Sequence, residues 1–360
     1  MLTKITLTNF RNYGSSRLEF GNLFTIITGH NGAGKTNLLE AISLLSPGRG
    51  LRSANLADIK KHGQNEWSVV GEVGGYKIAT GLEIGRERRT VKIDSEKQSG
   101  ANMLAEYVSC IWLTPQMDNI FLESNSERRR FFDRIIYNFD PEHASRVAVY
   151  ENTMRERLKL LKDGINDRRW LAALEQRMAE YGIAIAAARN EVIAYLQNSL
   201  DKAKTSFPRP QITMMGVYEN MLHESSALSC EESFVEKLKN SRDEDARNGR
   251  TNHGVHKTDF AVTHTEKNMP ANLCSTGEQK ALLLSITLGL ARLLRERKNR
   301  TPILLLDEVV AHLDENRRKE LFDELENLKT QSFLTGTENA LFTGLLGNSE
   351  YVKLENSNVI

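Results

Sequence analysis

The sequence predicts an α/β fold in which a mixed sheet is flanked by helices and a short helical lobe is inserted. Three observations lead to this fold class. A glycine-rich loop lies between a strand-like and a helix-like segment near the start of the chain, at residues 29–36. An aliphatic run that ends in two acids lies near the other end, at residues 303–308. Between them, residues 170–200 carry apolar side chains with a helical period.

The glycine-rich loop matches G-x-x-x-x-G-K-[ST] at every fixed position and reads Gly29-His30-Asn31-Gly32-Ala33-Gly34-Lys35-Thr36. Residues 23–27 before it predict a buried strand, and residues 36–45 after it predict a helix. Glycine lets backbone N–H groups crowd around phosphate oxygens, and a helix N-terminus attracts the same anions. We expect Lys35 to reach the β- and γ-phosphates of ATP and the Thr36 hydroxyl to bind Mg²⁺.

Strands are predicted again within residues 60–93, where Gly74-Gly75 forms a hairpin turn, and at 107–113. Helical periodicity follows. Its most regular stretch is an a/d seam with alternating spacings of three and four, made of Leu171, Leu174, Met178, Tyr181, Ile185, Ala188, Val192 and Tyr195. This predicts two long helices packed together, although an ordinary helical core has the same pattern. Polar residues 239–253 predict an exposed loop.

The aliphatic run Ile303–Leu306 is typical of a parallel strand covered on both faces. Asp307 and Glu308 follow it directly. The end of such a strand is where a P-loop sheet places the carboxylate that binds Mg²⁺, so we expect Asp307 to be a metal ligand. Glu308 is then placed to orient and polarise the attacking water. An acidic pair after a strand is often a simple loop cap, but here Lys35 and Thr36 supply the complementary half.

A third segment, Ser275-Thr276-Gly277-Glu278-Gln279, resembles the signature S-x-G-[GE]-Q of ABC-type ATPases and opens a long predicted helix. Taken alone it is also a capping box, and both interpretations are compatible. Resemblance to ABC ATPases implies that the signature binds the γ-phosphate held by a second copy, so that two copies enclose two ATP molecules. It also implies that Asp314 lies in the loop that crosses between subunits. Gln116 is the candidate sensor of Mg²⁺ and water, with a plain loop equally compatible.

These segments predict an ABC-type P-loop ATPase head with an inserted lobe. We expect residues 1–114 to form the N-terminal part of the head, 115–210 the helical lobe, and 211–360 the C-terminal part.

The chain resembles the RecF family of bacterial recombination-mediator ATPases, in the SMC/ABC class, nearly end to end. Four segments carry the resemblance. They are Leu7-Thr8-Asn9-Phe10-Arg11-Asn12-Tyr13, the loop at 29–36 with its helix, residues 114–133, and Gly254-Val255-His256-Lys257-Thr258-Asp259. The last departs from the family's G-P-H-R-x-D motif, with Val255 for proline and Lys257 for arginine.

The resemblance implies an ATP- and Mg²⁺-dependent DNA-binding homodimer with a weak, DNA-stimulated ATPase. Such proteins act in DNA repair and replication and in the SOS response to DNA damage. They work at gapped, single- and double-stranded DNA with RecO and RecR to help load RecA. Arg11 is a candidate nucleotide contact, although it is equally placed to pack locally.

Net charge is +1, from 48 basic and 47 acidic residues, so a DNA contact has to come from local basic patches. Candidates are Arg128, Arg129, Arg130, His256 and Lys257, with Arg86, Arg88, Arg89, Arg49 and Arg52 as further basic clusters. A solvated charged face is the alternative for each cluster. Three cysteines without C-x-x-C, no signal-peptide pattern and no long apolar run predict a cytoplasmic protein without a membrane partner.

Two other classes of protein share the three ATPase motifs. The ATPase subunit of an ABC transporter is disfavoured by the helical lobe and by Thr335-Gly336-Thr337, where a histidine is expected. Another SMC-like chromosome protein or a nuclease-linked ATPase is disfavoured by the short arm and by the lack of an acidic nuclease cluster.

Overall fold

The computed structural model describes residues 1–165, 167–298, 301–345, 347, 349–355 and 358–359, and of 298, 312, 358 and 359 it describes only the backbone. The chain forms two compact units. The first, called the head, comprises Met1–Asp118, Ala203–Phe207 and Lys280–Ile360. The second, called the helical unit, comprises Asn119–Lys202 and Pro208–Gln279.

Strands and helices are numbered in chain order through both units. The strands are β1 (Leu2–Phe10), β2 (Tyr13–Glu19), β3 (Phe24–Thr28), β4 (Trp67–Val73), β5 (Tyr76–Leu82), β6 (Thr90–Ile93), β7 (Glu96–Lys97), β8 (Cys110–Leu113), β9 (Pro210–Met215), β10 (Asp259–His264), β11 (Met269–Pro270), β12 (Ile303–Leu306), β13 (Ser332–Gly336), β14 (Ser349–Glu355) and β15 (Asn358–Val359). The helices are α1 (Lys35–Ser43), α2 (Asn125–Ile136), α3 (His143–Lys162), α4 (Arg168–Asp201), α5 (Val217–Met221), α6 (Ala227–Asn240), α7 (Arg242–Asn248), α8 (Thr276–Lys298) and α9 (Glu315–Leu328).

The sheet that positions the candidate site has the strand order β15-β14-β3-β13-β12-β8. The strands from β14 to β8 run parallel to their neighbours. Every residue of β3, β8, β12 and β13 is buried, as expected for strands covered on both faces. Leu306 pairs with Leu113 on one side and with Leu334 on the other, and Leu334 pairs with Ile26. This register brings the carboxyl ends of β3, β8, β12 and β13 to one edge.

A second sheet of the head is antiparallel, with the order β2-β1-β4-β5-β6-β7. Burial alternates along β4, so one face of this sheet packs into the core. Arg89, which follows β5, is bound within the head. It donates to Thr80 and to the Gly48 carbonyl at 2.6 Å each, and it also contacts the Leu44 carbonyl at the end of α1. Burial lowers the pKa of Arg89 to about 10. Arg89 therefore caps the end of α1, and its part in a DNA-binding patch stays a prediction.

The helical unit is built around α4, which is 34 residues long. The seam residues Met178 and Ile185 are buried in a cluster that includes Tyr150 of α3, Tyr218 of α5 and Phe234 of α6. The predicted seam therefore exists, and it packs against several helices rather than one partner. It is the core of a small helical domain.

The helical unit also contains residues 208–279, most of which the sequence analysis assigned to the head. The reason is that β9, β10 and β11 form a sheet that packs on helices of this unit. Phe260 of β10 stacks on Phe132 of α2 with ring centroids 5.2 Å apart. Gln197 of α4 accepts from the Ile212 amide at 2.9 Å.

Within the segment predicted to be an exposed loop, residues 242–248 form α7 instead. The cause is a buried ion-pair network that polar composition alone does not reveal. Arg157 donates to Glu175 at 3.0 Å, to Asp245 at 2.7 Å and to the Leu238 carbonyl at 2.6 Å. Asp245 is fully buried by this contact.

A second buried network centres on Arg189. It donates to both oxygens of Asp133 at 2.9 Å, to Glu219 at 3.0 Å and to the Val255 carbonyl at 2.9 Å. His143 contacts the same Asp133 carboxylate at 2.9 Å. Burial raises the pKa of Asp133, but Arg189 and His143 outweigh burial and lower it to about 2. One guanidinium thus joins α2, α4, α5 and the loop before β10.

We predict that Arg189→Met lowers the free energy of unfolding by about 3–5 kcal/mol, because it leaves Asp133 and Glu219 buried without their cation. Chemical denaturation followed by circular dichroism measures the change. Arg168→Met, at an exposed position at the start of α4, is the control and should shift stability by no more than about 0.5 kcal/mol. Equal stability of the two variants would contradict the prediction.

Candidate nucleotide site

The phosphate loop lies between β3 and α1, and two of its glycines cannot be replaced. Gly29 has φ 156° and Gly34 has φ 105°, both in the region that side chains rarely adopt. A Cβ on Gly29 would lie 2.4 Å from the Leu354 carbonyl oxygen. A Cβ on Gly34 would lie 2.9 Å from the Tyr13 hydroxyl. The motif's glycines therefore match the close packing of β2 and β14 against the loop.

Lys35 begins α1 and is buried. Its Nζ donates to the Gly29 carbonyl at 2.8 Å and to the His30 carbonyl at 3.3 Å. The Tyr13 hydroxyl donates to the Gly34 carbonyl at 3.0 Å, and burial raises the pKa of Tyr13. These contacts hold the carbonyls of the loop. The N-terminus of α1, with its positive end, favours an anion at this loop.

The acidic edge lies beside the loop. The Thr36 hydroxyl donates to the two Asp307 oxygens at 2.9 and 3.2 Å. Thr335, at the end of β13, donates to Asp307 at 2.7 Å and accepts the Glu308 N–H at 2.9 Å. Sequence reasoning missed Thr335, although its place at the carboxyl end of the next parallel strand is a usable signal. The structure therefore brings Thr36 and Asp307 into contact, with Lys35 and Glu308 next to them in the chain.

Thr36 and Asp307 fit a magnesium ion, because a hydroxyl and a carboxylate are hard oxygen ligands. Mg²⁺ in nucleotide sites takes one or two protein oxygens together with phosphates and water. Among the residues that the structure describes there is no cluster of three or more His, Cys, Asp or Glu side chains for a metal. The donor set present is thus the one expected where nucleotide phosphates complete the coordination.

A small cavity of about 20 Å³ lies against the acidic edge and is lined in part by Pro115, Asp118, Lys280 and Glu308. Its volume is close to that of one water molecule. Lys280 and Asp118 pair at 2.8 Å. Gln116 is exposed in the 3₁₀ turn Pro115–Met117 that follows β8, the strand next to β12. The sheet therefore brings the predicted sensor turn to the same edge as Glu308.

Arg11 has a local partner. It donates to both oxygens of Glu40, at 2.8 and 2.6 Å, and to the Asp58 carbonyl at 2.7 Å. Arg52 contacts the same Glu40 at 3.1 Å. Of the two alternatives left open by the sequence, the structure contains the local packing of Arg11. Contact with a nucleotide stays a prediction.

The signature segment opens α8. Ser275 donates through its N–H and its hydroxyl to Glu278, at 2.9 Å each. The bond from Lys267, followed by those from Ser275, lowers the pKa of Glu278 to about 2. Gln279 is buried and donates to the Cys274 carbonyl at 2.9 Å. Ser275, Thr276 and Gly277 are exposed, so the first turn of α8 is stabilised from within and open to a ligand from outside.

Asp314 forms the N-cap of α9, where its side chain accepts the Arg317 N–H at 2.9 Å. This helix cap is a structural role. The predicted role of Asp314 at a boundary between subunits stays a prediction.

The five candidate DNA-binding residues divide into two groups. Arg128 is bidentate to Asp259 at 2.8 and 2.7 Å, and Arg129 donates to the Thr258 carbonyl at 2.8 Å. His256 contacts the Tyr150 hydroxyl at 2.8 Å and the Thr251 carbonyl at 3.0 Å, and burial lowers its pKa to about 4. These three side chains shape the 254–259 loop. The exposed members are Arg130, which pairs with Glu127 at 2.5 Å, and Lys257.

Comparison with known proteins gives one consistent family. The model of the RecF/RecN/SMC N-terminal domain matches residues 1–357. The DNA replication and repair protein RecF of Mesorhizobium japonicum is 44% identical, over 99% of this chain and 97% of its own length. The RecF of Brucella abortus is 42% identical, over 97% of this chain and 93% of its own length.

Solved structures give the same fold. The recombination mediator protein RecF-ATP in the RecFOR pathway has a TM-score of 0.86 and 27% identity, and the match covers 100% of this chain and 96% of that one. The Smc head of Pyrococcus furiosus has a TM-score of 0.53 and 16% identity over 100% of this chain and 95% of that one, which shows the fold alone.

The fold and the site define an ABC-type ATPase head of the SMC class, and the predicted fold class is confirmed. The chain belongs to the RecF family, as the sequence motifs predicted. Among the helices that the structure describes, each is too short or too polar to cross a membrane.

We predict that Lys35→Ala weakens ATP binding by about 10- to 100-fold, because a charged hydrogen bond contributes about 1.5–3 kcal/mol. Titration with a fluorescent ATP analogue measures the affinity. Lys319→Ala, at an exposed position on α9, is the matched control. Unchanged affinity in Lys35→Ala would show that the loop does not hold the phosphates.

Proposed function

We propose that the chain is an ATP-dependent DNA-binding protein of recombinational repair that dimerises when it binds ATP. One observation carries the proposal. In a chain of the RecF family, Thr36, Asp307 and Glu308 meet at the carboxyl edge of the sheet beside Lys35, with the Thr36 hydroxyl 2.9 Å from Asp307. The described geometry and the family together support nucleotide hydrolysis coupled to a DNA-repair task.

The proposed chemistry assigns one task to each side chain. The loop amides and Lys35 bind the phosphates and orient the γ-phosphate. Thr36 and Asp307 would hold Mg²⁺, which neutralises charge on the phosphate oxygens. Glu308 orients and polarises the attacking water, and the neighbouring cavity has room for such a molecule. Gln116 is the proposed sensor of the same water.

Dimer formation is proposed from the first turn of α8. Ser275, Thr276 and Gly277 are exposed at a helix N-terminus, which favours binding of an anion. We assign them to the γ-phosphate held by a second copy, with Asp314 at the boundary between copies. ATP then joins two subunits by two-fold symmetry, and hydrolysis through Glu308 releases them.

The finer statements of the proposal come from the family. They are a weak ATPase stimulated by DNA, binding to gapped, single- and double-stranded DNA, cooperation with RecO and RecR, indirect action on RecA, and a cytoplasmic location. The relatives' description as DNA replication and repair proteins supports the first partner, DNA. The RecFOR pathway named for the solved relative supports RecO and RecR as partners.

We propose Lys257 and Arg130 as the DNA contacts among the candidate residues. Both are exposed, whereas Arg128, Arg129 and His256 bind within the helical unit. Arg128, Arg129 and His256 contribute indirectly, since they fix the loop that presents Lys257. A loop that is already fixed loses little backbone freedom when an exposed cation on it binds phosphate.

We predict that ATP shifts the protein from monomer to dimer and that Glu308→Gln stabilises the ATP-bound dimer. The amide keeps the shape of the carboxylate but does not activate water, so binding persists without hydrolysis. Sedimentation velocity with and without ATP measures the shift. An identical monomer–dimer equilibrium in both conditions would reject the dimer, and fast turnover in Glu308→Gln would reject the role of Glu308.

We also predict that Lys257→Glu weakens DNA binding and lowers the slope of log affinity against log salt by about 1, because a phosphate contact is lost. Fluorescence anisotropy on gapped, single- and double-stranded DNA, with and without ATP, measures both quantities. Lys319→Glu carries the same charge change on α9 and serves as the control. If the two variants bind DNA equally well, Lys257 makes no contact.

A further inference from the structure

Thr335 lies between the two acids of the candidate site. It is the last residue but one of β13 and is 1% exposed. Its hydroxyl donates to Asp307 at 2.7 Å and accepts the Glu308 N–H at 2.9 Å. A carboxylate can only accept and an amide N–H can only donate, so both roles of this hydroxyl are fixed by its partners.

The backbone of Glu308 needs such an anchor. Its φ of 56° lies in the left-handed region that side chains rarely adopt. Backbone strain of this kind persists where the surroundings over-determine the conformation, and it is found at functional sites. The parallel pairing of Leu306 with Leu334 places residues 307 and 335 side by side, which makes the anchor possible.

We infer that Thr335 is a positioning residue for ATP hydrolysis. Its single hydroxyl directs Glu308 and orients Asp307. The inference rests on the proposed function. The inference predicts different effects on nucleotide binding and on turnover. When the Thr335 hydroxyl is lost, Asp307 keeps a second hydrogen-bond donor, Thr36, at 2.9 Å. The Glu308 N–H, by contrast, has its acceptor in Thr335. Loss of the hydroxyl should therefore leave nucleotide binding intact and misplace Glu308.

Thr335→Val tests the inference, because valine keeps the shape and removes the hydroxyl. We expect ATP affinity, with and without Mg²⁺, to change by less than about threefold. Turnover should fall by about 10- to 100-fold, the loss typical of a misplaced catalytic group. Thr335→Ser restores the hydroxyl and should return turnover to within about threefold of the original.

Thr25→Val is the matched control. Thr25 is a fully buried threonine of β3 in the same sheet, and its hydroxyl donates to a carboxylate, that of Glu350, at 2.8 Å. It should share the loss of stability but keep normal turnover. If Thr25→Val loses as much turnover as Thr335→Val, the effect is general destabilisation and the inference is wrong.

A double-mutant cycle with Glu308→Gln distinguishes positioning of Glu308 from a purely structural role of Thr335. If Thr335 acts through Glu308, adding Thr335→Val to Glu308→Gln should change the residual turnover by less than about twofold. Losses that multiply would overturn the inference.

Hydrogen exchange at the Glu308 amide is independent of turnover. It should accelerate in Thr335→Val and stay slow in Thr335→Ser and Thr25→Val. An unchanged exchange rate in Thr335→Val overturns the inference even where turnover falls. The unaltered chain separates the two claims. If it shows no ATP turnover while hydrogen exchange shows that Thr335 protects the Glu308 amide, the proposed function is rejected and not the inference.

Discussion

The contact between the Thr36 hydroxyl and the Asp307 carboxylate is the interaction on which the site depends. It joins the first helix of the chain to a strand 271 residues later. Hydrogen bonding of β12 between β8 and β13 makes it possible, because parallel strands end at one edge in register. The phosphate loop follows β3, which pairs with β13. One run of parallel pairing therefore delivers both halves of a nucleotide site.

At this edge of the sheet the backbone adopts unusual conformations that buried hydrogen-bonding groups hold in place. Glu308 adopts a left-handed conformation and Gly29 and Gly34 adopt positive φ values, so the backbone is bent sharply on both sides of the site. Buried hydroxyls and carbonyls stabilise these bends, through Thr335 on one side and Tyr13 on the other. For Glu308 the cost of such strain is of order 1–3 kcal/mol, whereas glycine adopts positive φ without it.

The helical unit is organised by buried ions rather than by its heptad seam alone. Arg157 and Arg189 each tie several elements together, and their carboxylate partners come from four different helices. Pairing satisfies charges that would otherwise be costly to bury. Because Arg189 also donates to the Val255 carbonyl, the 254–259 loop shares this framework. The 254–259 loop, which resembles a motif of the RecF family, is therefore held in place by a buried ion-pair network.

Contiguous motifs were predictable because their chemistry is local. The phosphate loop with Lys35 and Thr36, the acids 307 and 308, and the helical period of α4 follow from residue type and spacing. Partner choice was not predictable. Arg89 reads as part of a basic cluster but caps α1, and Arg128 faces Asp259 rather than solvent. A charge run in sequence does not specify which carboxylate or carbonyl the fold brings near.

The sequence by itself determined the class of fold, the family and the candidate residues of the nucleotide site, since these depend on side-chain chemistry at fixed spacing along the chain. Tertiary structure alone decided that residues 208–279 join the helical unit, that α7 forms, and that Thr335 bridges Asp307 and Glu308. The physical reason is that these features depend on strand register and burial. Both are set by contacts between segments far apart in the chain, and no local pattern encodes them.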